Sequence, residues 1–306
     1  MRVLFVKTSS LGDVVHHCPA VSDVARERPD AEIDWVIEAP FAGVARLHPA
    51  VRRVHPVAVR RWRSSLWSPA AWREIGDFRA ALAAERYDLV IDTQGLLKSA
   101  LICAIAPGVR HGMDNESARE AVAARFYDER HHVPRGLHAV ERNRLLTAKA
   151  MGFSAQTDAI YGLHVNPSYS EKPYAVLLTM TSRADKLWPE ASWIELARAL
   201  GMRVVLPWGS ELERERAVRI AEALADGVIA EAMTLEALAS LFAASRFVIG
   251  LDTGLTHLAA AVGARTVGIY AGSDPALTGL YGAPRAANVG GPGHPPSVAE
   301  VLKALG

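Results

Sequence analysis

The chain has 306 residues, half of them apolar and 22% charged, enough to bury one large core or two medium ones and too apolar for a disordered chain. Its apolar runs stop far short of the roughly 18 residues that span a bilayer, and its first residues lack the apolar core and cleavage site of a secretory signal, so cytosolic residence is expected. A formal net charge of +1 gives no overall field for nucleic acid, and Cys18 and Cys103 lie too far apart for a zinc ribbon and are too few for a disulfide framework; both are expected in the core.

In chain order, RVLFVK is an apolar run rich in β-branched and aromatic residues, followed by the polar turn TSSLGD and by DVVHHCPAVSDVARER with helical spacing. That predicts strand, loop and helix. The alternation continues through IDWVIE, FAGVARL, RRVHPVAV, the helix-like WREIGDFRAALAAE, DLVIDTQG and LLKSALICAIA. At GLHVNPSYSEKP, residues 162–173, the period dissolves into Gly, Pro, Ser and Asn, the composition of a domain linker. The alternation then resumes with YAVLLT, SWIELARALG, RVVLPWG, LERERAVRIAEALADG, GVIA, TLEALASLFAAS, RFVIGLD, LTHLAAAVG and TVGIY. Parallel strands with helical crossovers follow from this plan, either as two α/β domains or as one sheet of ten strands. Residues 1–153 carry 22 Lys+Arg against 18 Asp+Glu and the remainder 12 against 15; a basic half and an acidic half suggest different ligands for each.

Doubly wound sheets bind ligands outside the carboxyl ends of their strands, where loops feed helix N-termini that attract anions. The first such loop, Lys7-Thr8-Ser9-Ser10-Leu11-Gly12-Asp13, combines a cation, hydroxyls, a glycine and a carboxylate, without a dinucleotide fingerprint or a Walker ending. Taken alone, Asp13 reads first as a carboxylate favoured by the dipole in the first turn of a helix. In Leu251-Asp252-Thr253-Gly254-Leu255-Thr256-His257, Gly254 permits close backbone approach and the following amides suit a pyrophosphate, or Asp252 is a simple cap. The segment from Thr181 and Ser182 to Pro189 offers Lys186 to a phosphate or ribose, and Glu211, Glu213 and Glu215 after PWGS suit ribose hydroxyls or a solvated helix face. Arg52, Arg53, Arg60, Arg61 and Arg63 stand among Trp62, Trp67 and Trp72 with no acid between positions 39 and 73, a composition suited to an anionic partner, a membrane interface or a stacked ring. Lys98 and Arg119 would extend that basic surface. His16-His17 and His131-His132 lack a third ligand at convincing spacing, so no metal site is expected. Asp30, Glu32 and Asp34 alternate along a strand and are expected to face solvent, and there is no Asp-x-Asp.

Taken in order, VKTSSLGDVVHHCPA, VRRWR at 59–63, VIDTQGLLKSA, HGMDNESARE, TSRADKLWPEASW, LPWGS and LDTGLTHLAAA resemble the inverting ADP-heptose glycosyltransferases of lipopolysaccharide synthesis, from residue 1 to about 285. The resemblance implies a GT-B fold, two Rossmann-like α/β domains with parallel sheets facing across a cleft. It divides the chain into an acceptor-binding domain, 1–165, and a donor-binding domain, 166–306, whose final short helix is expected to pack back on the first. The implied reaction moves L-glycero-D-manno-heptose from ADP-heptose to the inner Kdo of Kdo2-lipid A, with the protein peripheral on the cytoplasmic face of the inner membrane. By matching position, Asp13 resembles the general base. Thr181, Ser182, Lys186, Glu213, Met233, Asp252, Thr253, Gly254 and His257 resemble donor contacts, with Lys186 and Glu213 at the ribose, Met233 at the adenine and Thr253-Gly254 at the pyrophosphate. Lys7, Ser10, Arg60, Arg61, Arg63 and Arg119 resemble acceptor contacts.

ADP leaves without protonation, so no cofactor is required and a divalent metal is at most a stimulant. Expected partners are ADP-heptose, Kdo2-lipid A and the anionic membrane surface, not nucleic acid. The rivals are the second heptosyltransferase of the pathway, against which VRRWR counts, and a nucleotide-sugar or glycolipid binding module without turnover, which has no need of a base at Asp13. A nicotinamide-dependent oxidoreductase lacks its glycine fingerprint.

Overall fold

A computed structural model describes residues 1–306 except 66, 155–157, 169 and 182. The chain divides into two compact units, Met1–Gly162 and Leu163–Gly306, where the sequence reading put the boundary at 165/166. Each unit carries one six-stranded sheet in which every neighbouring pair is parallel. In the first, β1 (Arg2–Val6), β2 (Glu32–Glu38), β3 (Val51–Val57), β4 (Leu89–Asp92), β5 (Val109–Met113) and β6 (Glu129–His131) are ordered β3-β2-β1-β4-β5-β6. In the second, β7 (Tyr174–Leu178), β8 (Arg203–Leu206), β9 (Gly227–Ile229), β10 (Phe247–Leu251), β11 (Thr266–Tyr270) and β12 (Ala286–Gly290) are ordered β9-β8-β7-β10-β11-β12. Both are the doubly wound order, in which the winding direction reverses between two central strands: β1 and β4 in one unit, β7 and β10 in the other.

The central strands are apolar because helices cover both faces of a parallel sheet. Val3 to Val6 are fully buried, and β7 and β10 are buried along their whole length. Pro56, which cannot donate to a ladder, is tolerated because β3 is an edge strand. β5, β6 and β12 escape the periodicity argument: VRHGM, ERH and AANVG hold too few apolar residues to signal a strand, and their backbones are recruited by the neighbouring ladder. The thiols of Cys18 and Cys103 are both buried and unpaired with one another.

In the final helix, Val298–Leu305, the residues Val298, Val301 and Leu305 lie in the second unit's core with Trp188 and Trp193. Its apolar residues fall on one face at i, i+3 and i+7, and that face packs against β11, β12 and the helix Glu190–Leu200. Asp34 does not face solvent but is wholly buried, gripped by Arg52 at 2.6 and 2.9 Å and by the Tyr87 hydroxyl at 2.9 Å. Burial opposes its charge, yet the hydrogen bonds of His55, Arg52 and Tyr87 hold its carboxyl below the usual range.

The helices Cys18–Glu27 and Ala139–Met151 are joined by another buried pair: Arg144 reaches Asp23 through Nε at 2.7 Å and Nη2 at 3.2 Å, with side chains 3% and 1% exposed. Removing one partner of such a pair leaves an uncompensated buried charge. Asp23→Ala is therefore expected to cost about 3 kcal/mol in equilibrium urea unfolding of the first unit, and a loss below the resolution of that measurement would contradict the assignment.

Candidate active site

In the first unit the polar loop Lys7–Ser10 leaves β1 beside the loop that leaves β4, across the reversal point. Gln94 Oε1 accepts the backbone N–H of Thr8 at 3.1 Å and of Ser9 at 3.2 Å. Gln94 is set in turn by Asp92, whose Oδ1 accepts the N–H of Gln94 and Gly95 while Tyr127 donates to Oδ2 at 2.8 Å. Asp92 is fully buried, and desolvation raises its carboxyl above the usual range against those hydrogen bonds. Gly95 has φ +66°, and a Cβ there would lie 3.3 Å from the Arg119 backbone nitrogen, so glycine both permits the turn and lets the loop carrying Arg119 approach.

Asp13 stands in the first turn of the helix Leu11–Val15. Its Oδ2 accepts the Ser10 N–H at 2.9 Å and the Ser10 hydroxyl at 3.4 Å, and Arg119 Nη1 lies 3.3 Å from the same oxygen. Among the described residues no hydrogen bond reaches Oδ1. One oxygen of the Asp13 carboxylate thus closes the first turn of its helix. Lys98, from the helix Leu97–Cys103, sends Nζ to Ser9 Oγ at 2.8 Å.

Of the other residues expected at the acceptor, Lys7 is only 5% exposed, its ammonium bonded to the Thr93 carbonyl at 3.0 Å and to Asn143 Oδ1 at 3.3 Å; it braces β1 against its neighbours. The helix Val59–Ser64 presents Arg60, Arg61 and Arg63. Arg61 is tied to Glu74 at 3.0 and 2.6 Å, while Arg60 and Arg63 are exposed and have no ion pair among the described residues.

In the second unit the reversal point between β7 and β10 is bridged by charge. Lys186, in the loop after β7, lies 2.6 Å from Asp252 Oδ2, immediately after β10. Ser273, after β11, donates to that same oxygen, and His257 Nε2 is 3.5 Å from Oδ1. Burial alone would raise the Asp252 carboxyl, but the hydrogen bonds of His257, Lys186 and Ser273 outweigh it and hold the group well below the usual carboxylate range. Thr253 caps the helix Gly254–Ala261 in extended conformation, and Thr256 Oγ1 donates to the Leu251 carbonyl at 2.6 Å. A Cβ on Gly250 would meet that hydroxyl at 2.3 Å, so this strand end requires glycine. The helix N-terminus thus opens beside Asp252 and Lys186 with its first amides unbonded within the helix.

Glu213 lies in the first turn of the helix Glu211–Glu222 and reaches back to the Gly209 N–H at 2.6 Å, while its own N–H meets Ser210 Oγ at 3.4 Å. Met233 is half-buried in the loop after β9, and Thr181 is half-buried after β7; Ser182 lies outside the described residues. Thr181, Lys186, Glu213, Met233, Asp252, Thr253, Gly254 and His257 accordingly share one edge of the second sheet, and Lys7, Ser10, Asp13 and Arg119 one edge of the first. Sequence reasoning missed Ser273, Gln94 and Glu38. Ser273 and Gln94 follow strand ends, as AGSD after TVGIY and DTQG after DLVI, which was the available signal; Glu38 ends β2 and is 6% exposed.

Two doubly wound sheets with polar loops gathered at the reversal point of each are the framework of the GT-B nucleotide-sugar glycosyltransferases. Residues 75–300 match glycosyltransferase family 9 (heptosyltransferase). Lipopolysaccharide heptosyltransferase 1 of Escherichia coli K12 is 47% identical over 92% of this chain and 91% of its own length. Among solved structures, E. coli heptosyltransferase WaaC with ADP has a TM-score of 0.94 at 44% identity, covering 99% of this chain and 98% of that one. E. coli heptosyltransferase WaaC with ADP-2-deoxy-2-fluoro heptose has a TM-score of 0.90 at 42% identity, with the same coverage. The chain belongs to glycosyltransferase family 9, the heptosyltransferases, and is a glycosyltransferase.

The depressed carboxyl of Asp252 sets a pH dependence. A group whose folded value lies below its unfolded one, about 3.9 for Asp, contributes stability that is complete above the unfolded value and is lost as pH falls toward the folded one. The stability difference between the protein and Asp252→Asn, from urea unfolding, is therefore expected to be at full size at pH 5 and to shrink below about pH 4. A difference that grows on acidification would contradict the network.

Proposed function

We propose that this protein transfers L-glycero-D-manno-heptose from ADP-heptose to the inner Kdo of Kdo2-lipid A, inverting the anomeric centre. The observation that carries the reading is the Asp13 carboxylate at the β1/β4 reversal point, with one oxygen committed to its helix and the other unbonded among the described residues, in a chain with close heptosyltransferase relatives.

In this reading the second unit holds the donor. Amides at the start of Gly254–Ala261 take the pyrophosphate, whose charge grows as the glycosidic bond breaks, and electrostatic stabilisation replaces protonation of the leaving group. Lys186 and Asp252 form a neutral pair, so Asp252 and Ser273 serve to aim the ammonium, whose remaining N–H groups meet phosphate or ribose oxygens. Glu213 lies at the ribose and Met233 beside the adenine. Asp13 Oδ1 takes the proton of the acceptor hydroxyl as that oxygen attacks the anomeric carbon from the face opposite ADP, through an oxocarbenium-like transition state. Inversion follows from a single displacement. With the leaving charge met by amides and Lys186, the mechanism requires no cofactor, and a divalent cation is at most a stimulant.

The acceptor carries carboxylates and phosphates, which match Arg60, Arg63 and Arg119. Because it is a lipid, the protein works at the anionic membrane surface, a setting suited to the 99% exposed Trp67 and exposed Trp72 beside those arginines. Among the described residues no helix is long and apolar enough to cross a membrane, so the association is peripheral in this reading.

The direct test is ADP release coupled to a heptose mass increment on Kdo2-lipid A. Asp13→Ala is expected to lose 10²-fold or more in kcat while still binding ADP-heptose; near-normal turnover would refute the base assignment, and donor binding without turnover by the unaltered protein would favour a binding module. Reversing both Arg60 and Arg63 to Glu is expected to raise the acceptor KM at least about tenfold, the effect of losing roughly one charge-assisted contact, with the donor KM unchanged. Equal effects on both would contradict the division of labour.

A further inference from the structure

Two charged side chains near Asp13 have no part in the reaction as derived. Lys98 is half-buried and its ammonium, bonded to Ser9 Oγ at 2.8 Å, lies within electrostatic reach of Glu38, Arg60, Asp13 and Arg119. Glu38, at the end of β2, is 6% exposed, and its Oε1 is buried without a hydrogen-bond partner among the described residues. Its carboxylate faces the backbone N–H groups of Val59 and Arg60, which begin the arginine-bearing helix, as well as the Lys98 and Arg60 side chains.

The charge count of this cluster is unequal. Lys98, Arg60 and Arg119 bring three positive charges, and Glu38 and Asp13 bring two negative ones, so one further anion would balance it. Lys7, the lysine singled out by its place after β1, cannot supply the contact, since it is 5% exposed and bonded to Thr93 and Asn143. Lys98 can. Its partner on Ser9 is a neutral hydroxyl, and a carboxylate in that place makes a charge-assisted bond roughly twice as strong. Resting on the acceptor assignment above, we propose that Lys98 is the ammonium that takes the carboxylate of the acceptor sugar beside Asp13, and that Glu38 is the residue that positions Lys98 and Arg60 to receive it.

The electrostatics of the two groups agree with that division. Burial lowers the proton affinity of Lys98, and Arg60 and Arg119 push the same way, while Glu38 and Asp13 oppose them. Burial raises the Glu38 carboxyl, against the cations and amides it faces. Each therefore keeps the other charged, and an anion bound to Lys98 needs Glu38 behind it.

The experiment measures binding of de-O-acylated Kdo2-lipid A by calorimetry, without donor, alongside the same glycan with its carboxylates reduced to alcohols. Lys98→Met is expected to weaken binding of the carboxylate form about tenfold or more and of the reduced form less than twofold, with Lys98→Arg recovering most of the loss. Glu38→Gln is expected to move the alkaline loss of binding to lower pH by about one unit, because Lys98 loses a facing negative charge; a merely structural carboxylate would leave that limb in place. ADP affinity equal to that of the unaltered protein reports correct folding in each variant. Equal weakening of both glycans by Lys98→Met, or no weakening, would overturn the Lys98 assignment, and an unmoved alkaline limb in Glu38→Gln would overturn the role of Glu38. Absence of heptose transfer by the unaltered protein would count against the transferase reading and would leave these binding outcomes decisive for Lys98.

Discussion

The reversal of winding at the centre of a parallel sheet is the constraint from which the rest follows. Where β7 and β10 lie side by side but their connections depart in opposite directions, the two loops at their carboxyl ends separate, and the space between them must be bridged by side chains. Lys186 and Asp252 do so at 2.6 Å. Where β1 and β4 do the same, the bridge is Gln94 Oε1 accepting the Thr8 and Ser9 amides. One reversal point is spanned by an ion pair beside a helix N-terminus, the other by a neutral amide beside a carboxylate. In the proposed function, that difference in chemistry on a shared topology assigns the nucleotide to one sheet and the hydroxyl-bearing acceptor to the other.

Each site residue also meets a structural demand, and the arrangement is economical because the two demands fall on different atoms. Asp13 caps its helix with Oδ2 and keeps Oδ1. Lys186 satisfies Asp252 with one N–H and retains two. Glu213 closes the turn at Gly209 with one oxygen. A lysine that is buried and bonded to a main-chain carbonyl and an asparagine, as at Lys7, is part of the scaffold, which is why position after a strand is a weaker guide to binding than exposure of the charged group. Two buried carboxylates are met by cations and further donors, Asp34 by Arg52, His55 and Tyr87 and Asp23 by Arg144.

Much of this was legible in the amino-acid order. The four central strands are continuous apolar runs because both faces are covered, and the loops that follow them carry Asp13, Lys186, Asp252 and Gly254, which could be named from place alone. What was not legible depends on pairing rather than period. β6 and β12 are edge strands of mixed composition held by their neighbours' ladders. The alternating acids of β2 look solvent-facing, yet Asp34 is turned inward because Arg52 and His55 lie on the adjacent strand. Glu38 and Ser273 gain significance only from residues 22 and 21 positions away, Arg60 and Asp252, and no local pattern announces such contacts. The last helix shows its apolar face in sequence, but nothing local names β11 and β12 as the strands it packs against.

Where the nucleotide binds decides between the two reversal points. Amide hydrogen exchange followed with and without saturating ADP should show slowing in residues 252–257, with smaller slowing in 183–187 and 209–213, and none in residues 7–13 and 93–96. Protection concentrated after β1 and β4, with residues 252–257 unchanged, would contradict the assignment of the diphosphate to the β7/β10 reversal point.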